Sequence, residues 1–166
     1  MRTRTTTWFE VTVRYVRQSE DGGQKMVSEQ YVVDALTFAE AEATITKELQ
    51  PYITGEFTVK SISQATYAEV FFSDNANDDK WYKAKLMFIV KDEKTAKEKR
   101  CAVYHMVQAS SFNAAVKNID EVMGAGCSDY DIANIAETKV MDVFEHNAPL
   151  KKQTVDDKPE YEAKEV

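Results

Sequence analysis

Trp8-Phe9-Glu10-Val11-Thr12-Val13-Arg14-Tyr15 returns as Trp81-Tyr82-Lys83-Ala84-Lys85-Leu86-Met87-Phe88, an offset of 73 from position 8 to position 81. Farther along, Val33, Ala35, Phe38, Ala41, Ile45 and Leu49 match Val107, Ala109, Phe112, Ala115, Ile119 and Met123, at 74. Phe57, Val59, Ile62, Val70 and Phe71 then match Tyr130, Ile132, Ile135, Val143 and Phe144, back at 73. One residue gained in a turn and one lost after a helix account for the drift. The pattern reads as a tandem repeat of a whole supersecondary unit.

Each copy opens with an alternating strand, turns, returns, enters a helix and ends in a long strand. The first hairpin turns through Ser19-Glu20-Asp21-Gly22-Gly23, a glycine-bearing connection between alternating runs. Thr37 followed by Glu40 has the spacing of a helix-capping box. Phe38, Ala41, Ile45 and Leu49 then share one helical face until Pro51 stops the helix. In the second copy Ser111 caps, Phe112, Ala115, Ile119 and Met123 repeat the face, and Gly124 ends it.

The last strand of each copy slips phase. Phe57 and Val59 alternate, yet the next apolar residue is Ile62; Tyr130, Ile132 and Ile135 do the same. A β-bulge near Lys60-Ser61 and another near Ala133-Asn134 restore the alternation. The expected fold is therefore α+β. It consists of tandem duplicated ββαβ units, an antiparallel sheet with one helix per repeat on one face, and pseudo-two-fold symmetry. A unit of about 70 residues buries too little surface to stand alone, so residues 1–146 are expected as one domain of two repeats, 8–73 and 81–146. Residues 147–166, polar and without periodicity, are expected as a flexible tail.

The net charge is −7. The segment from Asn147 carries four lysines against five carboxylates, so six of those charges belong to residues 1–146. An acidic body disfavours broad phosphate binding but leaves room for a local basic face. Cys101 and Cys127 are too few and too far apart for a disulfide framework or a zinc site. There is no apolar leader and no run of about 18 apolar residues, which points to a cytoplasmic chain with no membrane contact. Gly22-Gly23 lacks the pattern of a phosphate loop, and no cofactor or metal is expected.

Strand alternation supplies the candidate contact residues. With Phe9, Val11, Val13 and Tyr15 turned inward, Trp8 and Arg14 face outward; in the copy, Trp81, Lys83 and Lys85 do so. A tryptophan with basic neighbours on each opening strand is what a single-stranded nucleic-acid binder needs, because every base has a π-face and the backbone needs cations. The same tryptophans also suit packing between the halves or a homo-oligomer interface. Glu69 and Asp142 hold equivalent positions, a carboxylate pair with the chemistry for a divalent cation or acid–base work. His105, matched by Tyr31, reads as a partly buried histidine, His146 as exposed, and Cys101 as a small core residue. No nucleophile–base pattern assigns a catalytic residue, and the expectation is a protein that is not an enzyme.

The stretches WFEVTVRY, EQYVVDALTFAEAEA, NIDEVMGAG and AETKVMDVFEH resemble a domain-of-unknown-function family of small proteins from Bacteroidota genomes, mobile elements and phages, across residues 1–146. The resemblance implies the cytoplasm of a host cell as the setting and supplies no catalytic residues. Combined with the residue pattern, it yields a single-stranded nucleic-acid-binding accessory protein of phage or mobile-element DNA metabolism. The alternatives are a protein- or small-ligand-binding module, such as an anti-defence inhibitor of a host protein, and a virion or assembly component.

Overall fold

The computed structural model describes residues 1–124, 126 and 129–146; Cys127 and the segment expected to be a tail lie outside the described residues. The order is β1 (Arg2–Thr5), β2 (Trp8–Gln18), β3 (Gln24–Asp34), α1 (Phe38–Leu49), β4 (Phe57–Gln64), β5 (Glu69–Phe72), β6 (Lys80–Lys91), β7 (Glu98–Ala109), α2 (Phe112–Met123), β8 (Tyr130–Glu137) and β9 (Val140–Phe144).

The expected helices form for the expected reasons. The Thr37 hydroxyl accepts from the Glu40 amide at 3.1 Å, and the Glu40 carboxylate accepts from the Leu36 amide at 3.0 Å. Ser111 accepts from the Ala114 amide at 3.2 Å. Gly124 closes α2 with φ −65°; a β-carbon there would stand 2.5 Å from the Asp120 carbonyl oxygen. The β2–β3 turn bonds Gly22 N–H to Ser19 O at 3.0 Å and Ser19 N–H to Gly23 O at 2.7 Å. Gly22 lies at φ +79°, the left-handed position of a type I turn with a glycine bulge.

Both bulges are present. Thr12 pairs with Ser61 while Val13 pairs with Val59, leaving Lys60 as the extra residue. Lys85 pairs with Asn134 while Leu86 pairs with Ile132, leaving Ala133. Beyond them the expected long strand ends. Residues 65–68 turn away from β2, with Ala65 N–H donating to Trp8 O and Thr6 N–H to Ala68 O. The single final strand is thus corrected to two, β4 then β5, and β8 then β9 in the other half.

The two strands of each pair join different sheets. The five-stranded sheet runs β1-β5-β7-β6-β8 and the four-stranded sheet β4-β2-β3-β9. β5 adds parallel to β7, and β9 adds parallel to β3. The expectation of purely antiparallel sheet is corrected accordingly: both sheets are mixed.

Three apolar clusters fix the layers. α1 presents Ala41, Ile45 and Leu49 to Phe9, Val11, Val13 and Val33. α2 presents Ala115 and Ile119 to Tyr82, Ala84, Leu86 and Val107. The third cluster lies between the sheets, with Trp8, Val32, Val140 and Val143 from one and Val70, Phe72, Trp81 and Met106 from the other. The layers therefore run helix, sheet, sheet, helix, and the helix-free faces of the two sheets meet at the end where β2 and β6 begin.

Candidate functional site

Trp8 and Trp81, expected outward, are 1 % and 3 % exposed. The alternation is as expected; what differs is that a second sheet covers the outer face. Both indoles pack on Phe72, at centroid distances of 6.3 and 5.7 Å. The Trp8 indole N–H donates to Ala68 O at 3.0 Å. Neither ring has a free face on which a base could stack, so the two tryptophans are withdrawn from the contact set and assigned to the inter-sheet core.

The basic residues fare differently. Arg14 is exposed, and Lys83 and Lys85 are half-buried on the helix-free face of β6. Lys85 stands opposite Tyr104 on β7. Lys83 Nζ lies 5.1 Å from the Tyr104 ring centroid and 5.9 Å from that of Tyr67, within cation–π range. Tyr67 bridges the layers by donating to Glu10 at 3.1 Å. Among the described residues, none of the three cations makes an ion pair.

The symmetric carboxylates stand in different sheets. Glu69 on β5 lies beside His105, with 3.5 Å between carboxylate and Nδ1; Asp142 on β9 lies beside Tyr31. Burial raises the pKa of both, which favours the neutral acid over a cation-holding carboxylate. Among the described residues no three metal-ligating side chains converge. His105 is 3 % exposed and neither ring nitrogen has a hydrogen-bond partner. Cys101, expected in the core, is exposed.

Two features escaped the sequence reading. Thr44 Oγ1 lies 3.2 Å from His146 Nδ1, and His146 Nε2 lies 3.3 Å from Glu40. Hydroxyl, imidazole and carboxylate stand in the order of a nucleophilic triad, but Thr44 is buried and Glu40 is tied to the helix cap. The arrangement clamps the end of β9 onto α1. Glu40 and Thr44 lie four residues apart on one helix face, a spacing visible in the sequence, but their partner is 102 residues beyond Thr44.

The second feature is a groove of about 800 Å³ between the outer part of β2 and the α1–β4 connection, lined by Tyr15, Arg17, Gln18, Tyr52, Ile53 and Gly55. At its edge Glu29 gathers three donors: Tyr15 OH at 2.9 Å, Tyr31 OH at 2.7 Å and Arg17 at 2.6 Å. Tyr52 is 80 % exposed. The signal for this groove was the loop Pro51-Tyr52-Ile53-Thr54-Gly55, with two apolar residues between helix breakers.

A family model described as Domain of unknown function (DUF4494) matches residues 7–146. The chain belongs to that family. The DUF4494 match takes in everything from β2 to the end of β9, both helices and both inter-sheet tryptophans. No curated protein and no solved structure matches the chain. Among the described residues no helix is long and apolar enough to cross a membrane.

Proposed function

We propose that this DUF4494 protein is a non-enzymatic binding module whose partner is another protein. The observation that carries the reading is the closure of Trp8 and Trp81 between the sheets, which removes the stacking platform that a nucleic-acid binder would use. What stays open is polar groove and sheet edge, set in an acidic body, and such surfaces suit protein partners. The host-cell and mobile-element setting that the resemblance implies adds the class of target, a host or phage protein. The test is affinity capture with the full chain alongside oligonucleotide titration. One protein recovered in stoichiometric amount, with no oligonucleotide bound at low salt, supports the reading; salt-sensitive oligonucleotide binding without a protein partner overturns it.

A second reading rests on Lys83 and Lys85, alternating beside Tyr104 on one face of β6. Cations flanking a half-buried aromatic ring suit a nucleic-acid strand. Under this reading K83E together with K85E weakens oligonucleotide binding and lowers its salt dependence; binding that is indifferent to both substitutions rules it out.

We also infer that the two halves arose by duplication and are related by a pseudo-two-fold axis. In support, β2-β3-α1-β4-β5 and β6-β7-α2-β8-β9 follow the same order, carry a bulge at the same step, and each send a last strand parallel into the other's sheet.

A further inference from the structure

The two hairpins match in order and differ in charge. From Lys80 to Ala109, β6 and β7 with their turn carry eight basic residues against three acidic, a net +5. From Trp8 to Asp34, β2 and β3 with theirs carry three against five, a net −2. In a chain of net −7, the β6–β7 hairpin is where an anionic partner is drawn.

The far end of that hairpin is an unfinished sheet. β7 pairs with β6 along its whole length, whereas β5 reaches only residues 105–107. Every residue from Val90 to Val103 is exposed. The parity of β6 is fixed on its β8 side, where Ile89 N–H donates to Asp129 O and Trp81 O accepts from Thr138. Successive residues of an antiparallel strand direct their N–H and C=O groups to opposite neighbours. The even-numbered residues of β6 therefore bond to β7, and their partners there are odd-numbered. The N–H and C=O of Arg100 and Ala102 thus point away from β6, and no turn or loop closes on them. The next carbonyl along, at Tyr104, faces the Glu69 amide where β5 begins.

Resting on the protein-binding reading above, we propose that this edge takes an acidic, extended segment of the partner as an added strand beside residues 99–103. The alternating donors and acceptors of Arg100 and Ala102 complement a peptide backbone. A phosphate backbone offers acceptors only, and residues 90–103 hold no aromatic ring on which a base could stack. Side chains set the sign of the charge. Lys99 alternates with Val107 and stands on the helix-side face, Arg100 on the other; among the described residues neither makes an ion pair. An added strand sets two consecutive side chains against them, one on each face, and carboxylates suit both. Val103, 39 % exposed, shares the Lys99 face four residues on and meets an apolar side chain. Glu69 opens β5 at the Val103 end, which keeps the acidic pair at the other. Asp92, Glu93 and Glu98 lie toward the turn, yet residues 91–100 retain a net +2.

The equivalent open edge, residues 24–29 of β3, carries Lys25 as its one cation and belongs to the net −2 hairpin. It has no pull on an acidic strand. Nor does a second copy suit the β7 edge: its own β7 brings like charge, and its β3 edge offers Glu29, which already accepts from Arg17, Tyr15 and Tyr31. Edge lysines guard against pairing of copies; opposite charge passes that guard. A third strand also firms the hairpin end, where Val90, Lys91, Glu98 and Lys99 form a ribbon two strands wide, marginal by itself in water.

The test selects peptides against the immobilised full chain from a random-sequence display library. Enriched peptides will carry two adjacent carboxylates, with an apolar residue three positions from the nearer one. The strongest is synthesised, as are versions with single backbone N-methyl groups. Methylation at alternate residues weakens binding about tenfold or more and is tolerated between them, because each methyl removes one ladder hydrogen bond. At saturation the Arg100 and Ala102 amides gain protection from hydrogen exchange. K99E together with R100E binds the acidic peptide at least about tenfold more weakly and enriches basic peptides instead. The exchange and methylation readouts stand on the native chain alone. Binding indifferent to that pair of substitutions, or protection of other amides such as those of β3, overturns the inference and leaves the protein-binding reading in place. Self-association in light scattering that the pair abolishes makes a second copy the occupant and overturns it too. Oligonucleotide binding that the pair abolishes, with no peptide enriched, overturns both the inference and the protein-binding reading. Failure to enrich any peptide, without oligonucleotide binding, overturns the inference alone, and the capture experiment above then decides the broader reading.

Discussion

His105 is the residue whose environment is least comfortable. It sits on β7 beneath Phe71 and Phe88, at centroid distances of 5.1 and 6.5 Å, and burial lowers its pKa below the ordinary 6.5. Glu69 is 3.5 Å away, at the outer limit of a hydrogen bond. Burial raises the Glu69 pKa in turn, so desolvation works against the charged form of both residues. The unfolded chain takes up a proton at His105 near pH 6.5 while the folded chain does not, so stability falls as pH drops from about 7 through the lowered pKa. Glu69 acts in the opposite sense at lower pH, because the folded state holds its proton more tightly. Urea midpoints between pH 7 and pH 5 will decline in the native chain, and H105L will flatten that decline; an unchanged slope refutes the assignment. The matching residue, Tyr31, needs no such compromise because its hydroxyl donates to Glu29.

At the scale of single elements, the sequence was most legible where local chemistry decides the outcome. Thr37 and Ser111 announce their helices because an orphan amide at a helix start needs an oxygen, and both hydroxyls provide one. T37A will cost about 1 kcal/mol, the usual worth of such a cap, read from thermal or urea unfolding. E40A will cost further stability, since Glu40 serves both the Leu36 amide and His146. The bulges at Lys60 and Ala133 were legible because a phase slip has no other inexpensive repair. The break after Gln64 was not: residues 65–68 read Ala-Thr-Tyr-Ala, with neither glycine nor proline, and the strand ends because Trp8 and Tyr67 draw it toward the other sheet. The same limit hid the fate of Trp8 and Trp81. Alternation states which side of a strand a residue faces, and carries no information about what packs there. Nor did it disclose β1, whose four residues lack any apolar alternation.

For the molecule as a whole, the joint between the sheets is the feature that sequence patterns left out. Besides the apolar cluster around Phe72, it is held by Arg4, whose guanidinium reaches Asp34 at 2.6 Å and Glu145 at 2.8 Å. Arg4 belongs to β1 of the five-stranded sheet. Asp34 ends β3 of the other sheet and Glu145 follows β9, so the ion pairs span the joint. Asp34 and Glu145 side chains are 5 % and 8 % exposed, which shields the pairs from solvent. R4A leaves two covered carboxylates short of a partner and will cost about 3 kcal/mol, the lower end for breaking a buried pair. Burial tends to raise the Glu145 pKa, but hydrogen bonds from Arg2 and Arg4 outweigh it and hold the pKa below the ordinary carboxylate value. The stabilisation is therefore complete above about pH 4.5 and is lost as pH falls through the lowered pKa. Acid titration followed by near-ultraviolet circular dichroism will show the native chain keeping its tertiary signal to lower pH than R4A.

The crossing of the two last strands also orders events in time. While the chain is being synthesised, the four-stranded sheet lacks its edge until residues 140–144 emerge, because β9 seals β3 from 111 residues downstream at Val33↔Phe144. β5 in turn has no β7 to lie against until the second hairpin has been made. Neither half can finish on the ribosome ahead of the other. The protein must reach its native state in one late, long-range step, which makes it a slow folder for its size and leaves residues 30–33 of β3 unsealed to any passing strand until that step is complete.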